Sequence, residues 1–133
     1  MTDRPTPDRG PPVPDGEMLH RVIVPGAAAV WCPGGVLSSA AFSFPVFSAD
    51  IAGLSEVAET LARWPAGSGI AGFSCSAARG LGFDPRHEPE HGNAAHANVY
   101  SSHSNSERKR QARRLASVCT LVVQPTRLRD LPP

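Results

Sequence analysis

The sequence predicts an α+β fold: a small mixed or antiparallel sheet of about four to five short strands with two main helices. Three observations carry this. A length of 133 residues suits a single domain. Short β-rich or alternating runs are interspersed with two longer runs whose apolar residues recur at helical spacing. Turn-forming groups separate them, among them Pro25-Gly26, Pro33-Gly34-Gly35 and Pro65-Ala66-Gly67.

Residues 1–17 hold Pro5, Pro7, Pro11, Pro12 and Pro14 among charged and glycine neighbours. Proline donates no amide hydrogen, so a disordered, proline-rich leader is expected there. The domain proper is expected over 18–124, with a loose tail over 125–133. Leu19 to Val24 reads as the first strand and stops at Pro25-Gly26. Ala27 to Cys32 fits either class. Ser39 to Phe44 and Val46 to Ala49 read as extended pieces broken by Pro45.

Leu54 to Trp64 is the clearest helix: Leu54, Val57, Ala58, Leu61 and Ala62 fall on one face. Asp50 or Ser55 is expected to cap it. Gly69 to Ser74 reads as a strand, and Ser76 as the cap of a short helical turn ending at Gly80. Leu81 to Gly92 reads as loop because Pro85 and Pro89 interrupt it. Ala95 to Tyr100 alternates, with Ala95, Ala97 and Val99 on one side and His96, Asn98 and Tyr100 on the other. Ser106 to Val118 reads as the second helix, with Ala112, Leu115, Ala116 and Cys119 as its inner stripe. Thr120 to Val123 is a last short apolar segment.

Composition narrows the function classes. The apolar fraction is 41%, and mean hydropathy is −0.20. No run approaches a membrane helix, and no basic-then-apolar leader opens the chain, so a cytoplasmic location without membrane attachment is expected. Net charge is +1, which gives no overall attraction to nucleic acid. Cys32, Cys75 and Cys119 are widely spaced and odd in number, against a disulfide framework or a cysteine-rich zinc site. No cofactor motif is present.

Four constellations could carry chemistry. His87-Glu88-Pro89-Glu90-His91 has the letters of a zinc-protease helix, but Pro89 obstructs the helix that would align its imidazoles. A looser ligand set from His87, His91, His96 and His103 stays open, and no metal site is assigned. Gly72-Phe73-Ser74-Cys75-Ser76 approaches a nucleophile elbow without its last glycine; Ser74 would need His96 as base and Asp84 to orient it. Arg110, Arg113 and Arg114 lie opposite the Leu115 stripe, as a solvated face or a phosphate-binding one. His96, Asn98 and Tyr100 can line a pocket or form the wet side of the sheet.

Two stretches carry a resemblance. One is Ser39-Ala40-Ala41-Phe42 followed by Phe47-Ser48-Ala49-Asp50. The other runs from Ala71-Gly72-Phe73 through Ala78-Arg79-Gly80-Leu81-Gly82 and Asp84-Pro85 to Asn93-Ala94-Ala95-His96-Ala97, with a basic helix after it. Over roughly residues 19–116 the chain resembles a group of small bacterial proteins with no established activity; Ala94 stands where that pattern prefers proline. The resemblance directs attention to Ser48, Asp50, Asn93 and His96.

Because no segment holds a complete catalytic set, the leading expectation is an accessory or protein-interaction module contacting a protein partner. The first alternative is a small hydrolase or group-transfer enzyme acting on a nucleotide-like substrate, with Asp50, Asp84, His96 and Asn98 as catalytic candidates. The second is nucleic-acid binding through the Arg108–Arg114 helix, with Arg110, Arg113 and Arg114 as contacts. Oligomeric state is left open.

Overall fold

A computed structural model of the chain describes residues 8–126. In order they form β1 (Met18–Ile23), α1 (Pro25–Trp31), β2 (Val46–Ile51), α2 (Val57–Ala62), β3 (Gly69–Ser74), α3 (Cys75–Gly80), β4 (Phe83–His87), β5 (His96–Ser101), α4 (Asn105–Val118) and β6 (Thr120–Val123). Short 3₁₀ turns lie at Pro33–Gly35 and Ser39–Ala41. The strands make one antiparallel sheet in the order β4-β5-β2-β1-β3-β6. The α+β class is therefore as expected, while the described residues hold six strands and four helices.

The sheet is built by alternation. Phe47, Ala49 and Ile51 of β2 and Ala97 and Val99 of β5 point into the core. They join Leu19, Ile23 and Phe73, which are 0–1% exposed. Phe42 packs edge-on against Phe73 with centroids 5.6 Å apart, and Phe47 meets both rings at 5.4 and 6.1 Å. Helix α4 covers this face with Ala112, Leu115 and Ala116, the inner stripe its spacing predicts. Ser104 caps it, accepting the Glu107 amide, in place of the expected Ser106.

Local chemistry explains the departures. Pro25 closes β1 but also occupies the first turn of α1, where its missing amide hydrogen costs nothing. Ser38 accepts the Ala40 amide at 3.2 Å and bends 39–41 into a 3₁₀ turn instead of a strand. Ser74, not Ser76, caps α3 by accepting the Ala77 amide at 3.0 Å. Glu56 is the cap residue of α2, and Glu59 reaches back to its amide at 3.1 Å.

The N-terminal stretch differs most from expectation. Val13 is fully buried in the core. Its amide donates to the Pro85 carbonyl at 3.1 Å, and the His87 amide donates to the Pro11 carbonyl at 2.8 Å. Within the expected leader, residues 11–13 thus run along the outer edge of β4, and the Asp15 and Glu17 carbonyls accept the Ser76 and Cys75 amides: a proline lacks a donor but keeps its acceptor. Pro5 and Pro7 fall outside the described residues, as does most of the expected tail. Within the tail, Pro125 is buried and the Thr126 amide donates to the Gly67 carbonyl at 2.8 Å. No helix among the described residues is long and apolar enough to cross a membrane.

Arg21 is a buried cation on the helix-covered side. Its Nε donates to the Ala41 carbonyl at 3.1 Å, and its guanidinium lies 4.7 Å from the Trp31 ring and 5.1 Å from Phe47. Burial pulls its pKa down to about 10.

Candidate functional site

On the sheet face opposite α4, strands β2, β5 and β4 present mainly polar side chains, while Val22 and Ile70 of β1 and β3 are apolar. Register places His20 of β1 opposite Asp50 of β2, and Asp50 opposite His96 of β5. The three side chains therefore form a row across adjacent strands, each step about 5 Å. His20 is 9%, Asp50 5% and His96 7% exposed.

Asp50 is the centre of the row and the meeting point of three chain segments. Its Oδ2 accepts from Thr60 Oγ1 at 2.8 Å and Arg63 Nη2 at 2.7 Å, both from the α2 region, and its Oδ1 accepts from Asn93 Nδ2 at 2.8 Å. Arg63 Nη2 also donates to Ser55 Oγ at 2.8 Å. Burial pulls the carboxyl upward, but the hydrogen bonds from Asn93, Arg63 and Thr60 outweigh it and leave the pKa below the ordinary value. Asp50 is thus a fixed anion, and it caps no helix.

The two imidazoles differ. His96 Nδ1 faces the Glu88 carbonyl at 2.9 Å; a carbonyl only accepts, so Nδ1 carries the hydrogen. Its Nε2 lies 2.6 Å from Glu90 Oε1, an ion-pair distance but off the line a hydrogen bond needs. His20 Nδ1 is buried with no hydrogen-bond partner. Burial lowers the His20 pKa, and the Asp50 charge opposes this in part.

A cavity of about 260 Å³ opens on the row. His20, Asp50, Arg63, Glu90, Asn93 and His96 line it, with Ser48 and Trp64 on its walls. Ser48, Asp50, Asn93 and His96, the positions singled out by the resemblance, therefore share one cavity. The other two catalytic candidates lie elsewhere on this face. Asp84 pairs with Tyr100 of β5, about 13 Å along the strand from His96 at roughly 3.3 Å per residue. Arg9 at 2.8 Å and Arg86 at 2.9 Å engage its carboxylate. Asn98 donates to Glu88 Oε1 at 2.8 Å, and the Tyr100 hydroxyl donates to the same oxygen. The His96, Asn98, Tyr100 side is thus a hydrogen-bonded layer over which the N-terminal stretch lies, with the Gly10 amide donating to Glu88 Oε2 at 2.7 Å.

The remaining motifs are dispersed. His87 ends β4 and its Nε2 donates to the Ala94 carbonyl at 2.8 Å, so the segment through His91 is strand and turn, not helix. His103 lies across the sheet, stacked edge-on near Phe83 at 5.9 Å and bonded to the Leu81 carbonyl at 2.9 Å. No three His, Cys, Asp or Glu side chains among the described residues are placed to hold a metal ion. Ser74 is engaged as the α3 cap. Arg110, Arg113 and Arg114 are exposed on α4, behind the sheet from the cavity, and Arg110 pairs with Glu107 at 3.1 Å.

His20, Arg63 and Glu90 are site residues that the sequence reading did not single out. Arg63 had one visible sign, its place at the end of a helix and outside its apolar stripe; His20 had none beyond a polar residue inside an apolar strand. No protein-family model, no curated protein and no solved structure matches the chain.

Proposed function

We infer that the chain is a small hydrolase or group-transfer enzyme that works in the cavity over His20, Asp50 and His96, on a small nucleotide-like substrate. The observation that carries this is the His96 ring. One nitrogen is anchored to a backbone carbonyl, which fixes ring and tautomer, and the other is directed to the cavity side where Glu90 sits.

In this reading Nε2 of His96 is the acid–base group. It accepts the proton of an attacking water or hydroxyl as that oxygen bonds to the substrate's phosphorus or acyl carbon. It returns the proton to the leaving oxygen as the old bond breaks. Asp50 is a positioning residue: its carboxylate ties α2 and the Asn93 turn to β2. Trp64 is 42% exposed at the cavity wall and offers a flat face to a ring. The volume lies below the range of about 300–1,000 Å³ usual for drug-sized ligands, which favours a small substrate.

This reading is preferred to an accessory or protein-interaction module. The case for such a module is that no single segment holds a catalytic set; the cavity instead draws its lining from three strands, the residues just after α2 and a turn. The test is hydrolysis of nitrophenyl phosphate, bis-nitrophenyl phosphate, nitrophenyl acetate and a set of nucleoside phosphates. At least one is expected to be turned over, with His96→Gln lowering kcat/KM by about 10²–10⁴ while the fold is kept. Turnover untouched by His96→Gln, or none with any substrate, overturns it.

A further inference from the structure

Glu90 is out of place as a structural partner for His96. Its side chain is 61% exposed while the imidazole is 8% exposed, and the 2.6 Å contact between them is not aligned as a hydrogen bond. Its backbone is held independently, by paired hydrogen bonds with Asn93 at 3.0 and 2.9 Å, so the turn does not need the carboxylate. Arg63 and His20 line the same cavity as that carboxylate. Arg63 uses only Nη2 among the described residues, leaving Nε and Nη1. His20 Nδ1 also lacks a hydrogen-bond partner, but that nitrogen is itself buried. The Asp50 charge in the cavity is offset in part by its ion pair with Arg63 at 2.7 Å.

We propose that the cavity contains an oxyanion subsite at His96 with Arg63 on its wall, formed when the His96 ring carries a proton on Nε2 as well as Nδ1, and that the Glu90 carboxylate lies against His96 as an internal stand-in until a substrate's phosphoryl or carboxylate group displaces it. The proposal rests on the enzymatic reading above and deepens it: it names the group by which the substrate is recognised, and makes Glu90 an autoinhibitory residue. Binding then requires one flexible, exposed side chain to swing into solvent and no movement of the sheet. An internal occupant that fills its subsite about nine-tenths of the time weakens an external ligand about tenfold.

The test is calorimetric titration of the full chain with inorganic phosphate and, separately, with acetate. Glu90→Gln and Glu90→Ala should each bind one of the two anions at least tenfold more tightly than the native chain. The preferred anion identifies the group, phosphoryl or carboxylate. Adding His96→Gln to Glu90→Gln should abolish the gain. Unfolding midpoints within experimental error of the native value show that the turn persists in these variants. A gain below tenfold with both anions, in both variants, overturns the proposal, as does a gain that survives loss of His96. The outcomes are separable from those of the enzymatic reading. Anion binding without turnover of any ester leaves the subsite and removes the enzyme. His96-dependent turnover of nitrophenyl acetate without anion binding does the reverse.

Discussion

Replacing Asp50 probes the polar row most directly. Asp50→Ala removes the acceptor of three side-chain donors: Thr60, which is 0% exposed, Arg63 and Asn93. Breaking a fully buried ion pair costs about 3–5 kcal/mol. Two features lower that figure. The Arg63 side chain is 29% exposed, so water recovers part of its solvation. Ser55 also stays in place, 2.8 Å from both Thr60 Oγ1 and Arg63 Nη2. The expected loss is therefore about 2–4 kcal/mol at pH 7, on the order of a 10 °C fall in Tm for a domain of this size. Asp50→Asn keeps the shape but aims an NH₂ at a donor, and should cost about half as much.

The pH dependence has a definite sign. The folded carboxyl sits below its ordinary value, so the unfolded chain binds the extra proton first. The contribution of Asp50 is complete above the unfolded pKa of about 3.9 and is lost as pH falls through the folded value. Urea unfolding of the native chain and Asp50→Asn, from pH 7 down to pH 2.5, should give curves that converge below about pH 4. A loss under about 0.5 kcal/mol at pH 7, or a difference that does not shrink in acid, would refute the reasoning.

Two further outcomes follow from packing. A Cβ added at Gly69 would lie 2.5 Å from the Pro125 nitrogen and 2.6 Å from the Val123 carbonyl oxygen, both backbone atoms that cannot swing away. Gly69→Ala should therefore cost about 1–3 kcal/mol and loosen β6, read as a lower urea midpoint and faster amide exchange at Leu121 and Val123. Burial pushes the Cys75 thiol up to about 11 and the Cys119 thiol to about 12, so little thiolate exists at pH 8. Iodoacetamide at pH 8 should label both more slowly in the native chain than in urea-unfolded chain, by mass spectrometry; equal rates would contradict the packing.

Sequence periodicity carried information about the fold where the period was clean. β5 was legible because Ala97 and Val99 alternate with His96, Asn98 and Tyr100, and α4 because fourteen residues give its apolar stripe room to repeat. The shorter elements carried conflicting signals. β4 reads Phe83-Asp84-Pro85-Arg86-His87, two charges and a proline in five residues. It is a strand because it is the last in the ladder: β5 pairs with one side and the N-terminal stretch with the other. α1 is seven residues opening on Pro25-Gly26, a pair that reads as the turn ending β1, and Ala27 to Cys32 fits either class. In both cases tertiary pairing decided a contest that local preference left even.

The site was half legible for a related reason. Asp50 and His96 are polar residues in segments whose alternation could be read, so their direction was visible from their neighbours. Their adjacency was not, because it depends on the register of β2 against β5, across forty-six positions of sequence. Asp84 and Asn98 satisfied the same criterion of polarity and lie on the same face. They fall outside the cavity because register carries them toward Tyr100 and Glu88, where arginines and a glutamate already engage them. Sheet register therefore acts as the selector here. It takes five polar residues from three central strands and sets His20, Asp50 and His96 side by side, while Ser48 and Asn98 pair one step further along. A one-residue slip of β5 would turn His96 into the phenylalanine core and Ala97 toward Asp50, losing the imidazole and the packing together. The apolar alternation that holds Phe47 against Val99 is thus also what holds the candidate acid–base group beside its carboxylate.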